Sequence, residues 1–262
     1  ALCTQNLPDP AVIPSEHFNT VLYTGNGASP RSITGAGFQP DFTWIKARAI
    51  TRNHGLSDVV RGGYKWLASN SSVVEFVNDQ DGSLSSFDAD GFTLTAGSSS
   101  NNTFNSIAAG AYVAWNWKAN GTGASNTNGT ITSTVSANVD AGFSIVSYTG
   151  NATDNQTFGH GLTEAPEIVI VKNRTEGGSV QAGWQIYHKD TANNYYLQFT
   201  TAAKAAGAEA WNSTTPTSSV VHIGNSTHTN QVDDYIAYCF HSVDGYSKVG
   251  TYTGNGSTDG TF

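Results

Sequence analysis

Two aspartate pairs carry the residue types of a calcium loop. Asp79-Gln80-Asp81-Gly82 and Asp88-Ala89-Asp90-Gly91 set carboxylates two residues apart before a glycine. An EF-type loop needs more oxygens and a distal bidentate glutamate, which neither stretch has. Aspartate before glycine is also a hairpin-turn signal, and turn chemistry alone accounts for both pairs. The histidines give no site either. His54, His160, His188 and His241 stand apart, and His222 and His228 flank a Gly-Asn turn at a spacing that fits no zinc rule. His54 near Asp58 offers the residue types of half a triad, but no serine elbow or cysteine nucleophile accompanies them. Asp233-Asp234 are neighbours, so on a strand they face opposite sides and cannot oppose each other across a glycosidic bond. The expectation is a chain with no catalytic residue, no metal and no cofactor.

The elements that carry these residues come as a repeat. Tyr23-Thr24-Gly25-Asn26-Gly27 recurs as Tyr148-Thr149-Gly150-Asn151 and again as Tyr252-Thr253-Gly254-Asn255-Gly256. Pro40 matches Pro166, Lys46 matches Lys172, and Tyr112 to Trp117 matches Tyr235 to Phe240, all 123 to 126 residues apart. A period of this length describes beads, each able to bury its own core, rather than a solenoid. The expected division is 1–14, an extended segment from a preceding domain; 15–118, the first repeat; 119–129, a flexible Gly-, Ser-, Asn- and Thr-rich linker; 130–243, the second repeat; and 244–262, the start of a third.

Within each repeat, short runs of β-rich residues alternate with turn residues, which predicts an all-β chain of tandem antiparallel β-sandwiches of jelly-roll or lectin-like type. Thr201 to Trp211 is alanine-rich enough for a helical turn or two, although Gly207 weakens it. Comparing the copies assigns faces. Val113, Trp115 and Trp117 answer Ile236, Tyr238 and Phe240, all bulky, so that face is expected to be core. Leu67 answers Leu197 on a core face, which turns Trp66 and Tyr196 the other way. Either a second layer covers those rings, or they form, with Trp211, a contact surface for a ligand or partner.

Charged residues are 12% of the chain, about half the ~25% of an average globular protein. The net charge is −8 without a basic cluster, which argues against nucleic acid. No run of apolar residues is long enough for membrane insertion. The two cysteines, Cys3 and Cys239, cannot staple either repeat internally. The chain lacks methionine and starts and stops in mid-motif, so it reads as a piece of a longer polypeptide.

Several stretches resemble one family. Ala1-Leu2-Cys3-Thr4-Gln5-Asn6-Leu7-Pro8, Glu16 to Gly27, Gly37 to Phe42, Asn128 to Ile131, Ala141 to Gly150, Trp211 to Thr214 and Gly245 to Lys248 are similar to large structural proteins of marine tailed phages. In such proteins a lectin-like SPRY sandwich often precedes the first of these stretches, and the repeat itself looks like a domain of unknown function. The resemblance implies a virion or extracellular setting, a non-enzymatic structural or adhesion role, and partners that are other copies, other virion proteins or host-surface glycans. It supplies no catalytic residue. A carbohydrate-binding module using Trp66, Tyr196 or Trp211 is the first alternative, and a polysaccharide-degrading enzyme the second. Tyr246, Val249 and Tyr252 in the third copy are the expected strand-addition segment, since an unpaired strand recruits a partner.

Overall fold

The computed structural model describes residues 12–78, 80–98, 102–178, 183–199 and 205–256. The segment 1–11 and Cys3 with it, Asp79, and 201–204 of the alanine-rich stretch lie outside the described residues. The described chain is all-β apart from a 3-10 turn at Pro14–Glu16.

The first half contains β1 (Phe18–Thr24), β2 (Arg31–Thr34), β3 (Phe42–Ala47), β4 (Gly55–Asp58), β5 (Lys65–Ala68), β6 (Phe76–Val77), β7 (Ser83–Asp88), β8 (Gly91–Thr95) and β9 (Ala111–Trp117). The second contains β10 (Ala124–Asn126), β11 (Ser133–Asn138), β12 (Phe143–Thr149), β13 (Gln156–Gly159), β14 (Ile168–Asn173), β15 (Trp184–His188), β16 (Tyr195–Tyr196), β17 (Ala205–Ala206), β18 (Val220–Ile223) and β19 (Asp234–Phe240). Ala205–Ala206 is a strand paired with β16 rather than helix. Asp88 to Gly91 is the turn of the β7–β8 hairpin, with Asp88 paired to Gly91 across it.

Each half has one long antiparallel sheet, in the order β1-β9-β3-β4-β5-β6 and β10-β11-β12-β19-β14-β15. The correspondence runs strand by strand: β1 to β12, β9 to β19, β3 to β14, β4 to β15. Each half adds a smaller sheet, β2-β8-β7 in the first and β13-β18 in the second.

The long sheets are the middle layers of the molecule. Alternation sends Tyr112 and Ala114 of β9, Ile45 of β3 and Trp66 of β5 toward the small sheet of their own half, where they pack with Phe92 and Leu94. The opposite faces of the two long sheets meet each other. Phe42, Leu56 and Leu67 from the first half and Phe143, Ile145, Trp184, Ile236 and Tyr238 from the second make one shared core. Phe42 stacks on Tyr238 with ring centroids 4.3 Å apart. The face that holds Val113, Trp115, Trp117, Ile236, Tyr238 and Phe240 therefore builds the seam between the halves. Tyr238 is fully buried there, whereas Trp115, Trp117 and Phe240 are half-buried. The segment expected to be a flexible linker is tied into this body. β10 pairs with β11, the Ala119 amide donates to Asp41 Oδ2 at 2.7 Å, and the Asn120 amide donates to Ser136 Oγ at 2.8 Å.

Candidate functional site

The repeated Tyr-Thr-Gly-Asn motif is a clasp, built twice. Tyr23, the next-to-last residue of β1, stacks on Tyr112 of β9 with centroids 5.0 Å apart; Tyr148 stacks on Tyr235 at 5.1 Å. Each first tyrosine donates its hydroxyl at 2.7 Å to a loop carbonyl, Phe104 O or Thr229 O. Buried Asn105 accepts from the Asn26 amide at 3.0 Å and donates to Ala28 O at 2.8 Å. Asn230 does the same for the Asn151 amide at 2.8 Å and Thr153 O at 2.7 Å. The motif glycine lets these loops close. A Cβ on Gly25 would stand 2.1 Å from Ser106 O, and one on Gly150 would stand 2.1 Å from Gln231 O. Burial raises the Tyr23 and Tyr148 phenols well above their ordinary range, and the neighbouring Tyr112 or Tyr235 adds to the shift. They act as fixed neutral donors.

The seam holds the densest charge chemistry. Arg61 is fully buried and donates from Nε to Asp58 Oδ2 at 2.6 Å, and from its two terminal nitrogens to Glu75 Oε1 at 2.9 Å, Leu56 O at 2.9 Å and Tyr238 Oη at 3.2 Å. Tyr238 Oη in turn donates to Asp58 Oδ2 at 2.8 Å. Glu75 also binds Arg174 of the second half at 2.8 Å, and its amide donates to Arg174 O at 2.9 Å. Burial alone would push the Arg61 guanidinium toward neutrality, but Asp58, Tyr238 and Glu75 outweigh it and hold the proton more firmly than water does. Burial would likewise raise Glu75; hydrogen bonds and charge from Arg174 and Arg61 prevail and hold it below the usual carboxylate range. This is a cross-brace between the halves, with its donors and acceptors matched to each other.

The three expected contact rings are not at the surface. Trp66 is 0% exposed, stacked on Phe76 at 4.0 Å and edge-on to Phe104. Tyr196 is buried against His228, and Trp211 is buried beside Tyr187. Alternation had correctly separated Trp66 from Leu67. The second layer covers the one and the opposite long sheet covers the other. In the third copy Tyr246 packs edge-on to His17 with centroids 6.1 Å apart, the Val249 amide donates to Ser242 Oγ at 2.9 Å, and Tyr252 is 74% exposed. Residues 248–256 form no strand within the chain.

Asp233 accepts from Asn173 and Thr175, and Asp234 from Thr149, so both are engaged in holding loops. Among the described residues no three His, Cys, Asp or Glu side chains converge as a metal site, and no helix is long and apolar enough to cross a membrane. Polar clefts lie elsewhere on the surface. One is lined by Thr51, Arg52, Asn53, Asn70, Asp81 and Thr103; another carries Asp140, Glu164, Glu167, Asp244 and His241.

A single family model spans residues 13–262 and so takes in both halves. The chain belongs to the DUF7483 family, a domain of unknown function. The DUF7483 unit thus includes the seam as well as the two sandwiches. No curated protein and no solved structure matches the chain significantly.

The clasp asparagines and the Arg61 brace escaped the sequence reading. Asn105 and Asn230 were detectable, since they stand 125 residues apart in the frame that pairs the tyrosines. Arg61 and Glu75 have no counterpart in the second half, and no periodic signal points to them.

Proposed function

We propose that this chain is a non-enzymatic structural segment of a phage virion appendage or extracellular fibre, where it acts as a stiff spacer between neighbouring domains and associates with other copies or other virion proteins. The observation that supports this reading is the seam. Two sandwiches joined by a linker alone would flex, whereas two sheets sharing an apolar core and a buried ion network move as one body. Tandem use of such double units gives length with fixed geometry. Antibodies raised against the chain test it on purified particles by immunogold electron microscopy. Label along tail appendages is expected; its absence from intact particles that carry the gene would refute the assignment.

Glycan adhesion is the second reading, and the cleft with Arg52, Asn53, Asn70 and Asp81 favours it. Planar amide, guanidinium and carboxylate groups are the usual hydrogen-bonding partners of sugar hydroxyls. With Trp66, Tyr196 and Trp211 buried, the stacking version of that reading has no exposed ring. Glycan-array binding that is lost on Asn53→Ala would select adhesion over spacing, and reducing-sugar release would select a polysaccharide-degrading enzyme.

A further inference from the structure

Strand β1 leaves one edge of the first long sheet open. It is the outermost strand and pairs with β9 alone. The phase of that ladder tells which groups face outward. The Gly25 amide donates to Gly110 O, and the Lys118 amide to His17 O. Hydrogen-bonded pairs alternate with non-bonded ones along an antiparallel ladder. Odd-numbered residues of β1 therefore bond to β9, and Thr20 and Leu22 turn their amides and carbonyls away from the sheet. The Thr20 amide contacts the Asn19 side chain at 2.8 Å, and Leu22 is 62% exposed. The second half fills the same edge. β12, the counterpart of β1, pairs with β19 on one side and antiparallel with β11 on the other. Subtracting the 125-residue offset between Tyr23 and Tyr148 places the match to Ser133–Asn138 at 8–13. Pro8 and Pro10 there have no amide to donate, and Val12 and Ile13 form no strand. Other edges carry the usual protections against pairing. β6 and β10 are two and three residues long, and β7 has a register shift and Asp88. β1 has seven residues, Phe-Asn-Thr-Val-Leu-Tyr-Thr, with no charge, proline or bulge.

We propose that β1 pairs antiparallel with β1 of a second copy of this chain, joining two six-stranded sheets across a two-fold axis at Val21. This register sets Thr20 opposite Leu22 of the second copy and Phe18 opposite Thr24. The outward amides and carbonyls then meet in reciprocal pairs, as a two-fold interface requires. The orientation is the one that β11 already takes on β12. Charge also favours a second copy. The chain carries a net −8, yet the strand itself is neutral. The register brings Glu16 of one copy opposite Asn26 of the other, next to the Thr24 carbonyl that holds Arg31. Opposite charges approach there, and like charges do not. Exposed Leu22 gains cover from Thr20 of the second copy, a β-branched partner across the strands. The proposal rests on the self-association in the reading above and names its surface. The two fail separately, since a purified chain that stays monomeric says nothing against label on particles.

Sedimentation equilibrium and amide hydrogen exchange of the full chain test it, with reductant present so that no Cys3 disulfide contributes. A ladder this short buries less than the ~1,200 Å² of a standard interface, so a dimer with a dissociation constant of roughly 10–100 μM is expected. The Leu22 amide should gain at least about tenfold protection between about 5 μM and about 1 mM chain, while the Val21 and Tyr23 amides, already bonded to β9, change little. Leu22→Lys sets a charge on each side of the two-fold and should weaken the dimer by at least about tenfold, with thermal melting confirming that the variant is folded. Val232→Lys, at a 75% exposed site in a loop of the second half, should leave it unchanged. A chain that stays monomeric at the highest concentration overturns the proposal. So does a dimer in which the Leu22 amide gains no protection, whether or not Leu22→Lys folds. A dimer that survives in folded Leu22→Lys would assign association to another surface and would equally overturn it.

Discussion

Replacing Arg61 with methionine probes the seam most directly. Methionine keeps much of the side-chain volume but removes every guanidinium contact. Asp58, fully buried, then faces only the Tyr238 hydroxyl at 2.8 Å and the residue 61 amide at 2.9 Å. Breaking a buried ion pair from one side costs about 3–5 kcal/mol, because the remaining charge is uncompensated. The retained contacts place this case at the lower end. The backbone amide still serves Asp58, and Glu75 keeps Arg174 at 2.8 Å. About 3 kcal/mol is therefore expected, or a drop of roughly 6–12 °C in melting temperature for a chain of this size. The brace joins both halves, so calorimetry should show one transition displaced as a whole. Adding Asp58→Asn should recover part of the loss, giving a double-mutant cost below the sum of the singles. A loss under about 1 kcal/mol, or a shift confined to one of two resolved transitions, would refute the argument that the halves share one core.

The clasps predict matched effects. Asn105→Ala and Asn230→Ala should each cost about 1–3 kcal/mol in urea unfolding, since each removes two hydrogen bonds from a buried side chain to exposed loop backbone; a silent change at either would show that the clasps are not equivalent. Gly25→Ala and Gly150→Ala should each destabilise by about 1–3 kcal/mol through overpacking against a backbone carbonyl, read as a lowered urea midpoint; an unchanged midpoint would mean that the loops yield freely. His160 predicts a pH dependence. Burial, reinforced slightly by His241, depresses it from 6.5 to about 4 despite its bond to Thr217 O. The unfolded chain takes up that proton first, so stability is complete above pH 6.5 and falls on acidification toward pH 4, by about 3 kcal/mol. His160→Gln should flatten that limb of the melting-temperature profile, and an unaltered profile would exclude His160 as its source.

Much of the fold could be read from the sequence, and what was missed has two physical causes. Strand alternation separates two faces but does not say what covers each. Trp66 and Leu67 were correctly placed on opposite faces, yet alternation left both a covering layer and an exposed contact surface open for Trp66. The stretches that pointed to the actual arrangement are Ile168-Val169-Ile170-Val171 and Tyr235-Ile236-Ala237-Tyr238-Cys239-Phe240. Both are apolar without interruption, the mark of a strand buried on both sides. A half-solvated sheet would have interposed polar residues there. Short polar strands such as β4 and β7 were invisible for the opposite reason. Gly55-Leu56-Ser57-Asp58 lacks β-rich residues, and its place in the sheet is fixed by neighbours on either side. The same logic governs function. The motif that repeats most faithfully, Tyr-Thr-Gly-Asn, holds each sandwich closed, whereas Arg61, Glu75 and His241 occur on one side of the duplication only. What is duplicated maintains the fold. Arg61 and Glu75, unpaired between the halves, brace the seam, where the molecule has chemistry that neither sandwich has alone.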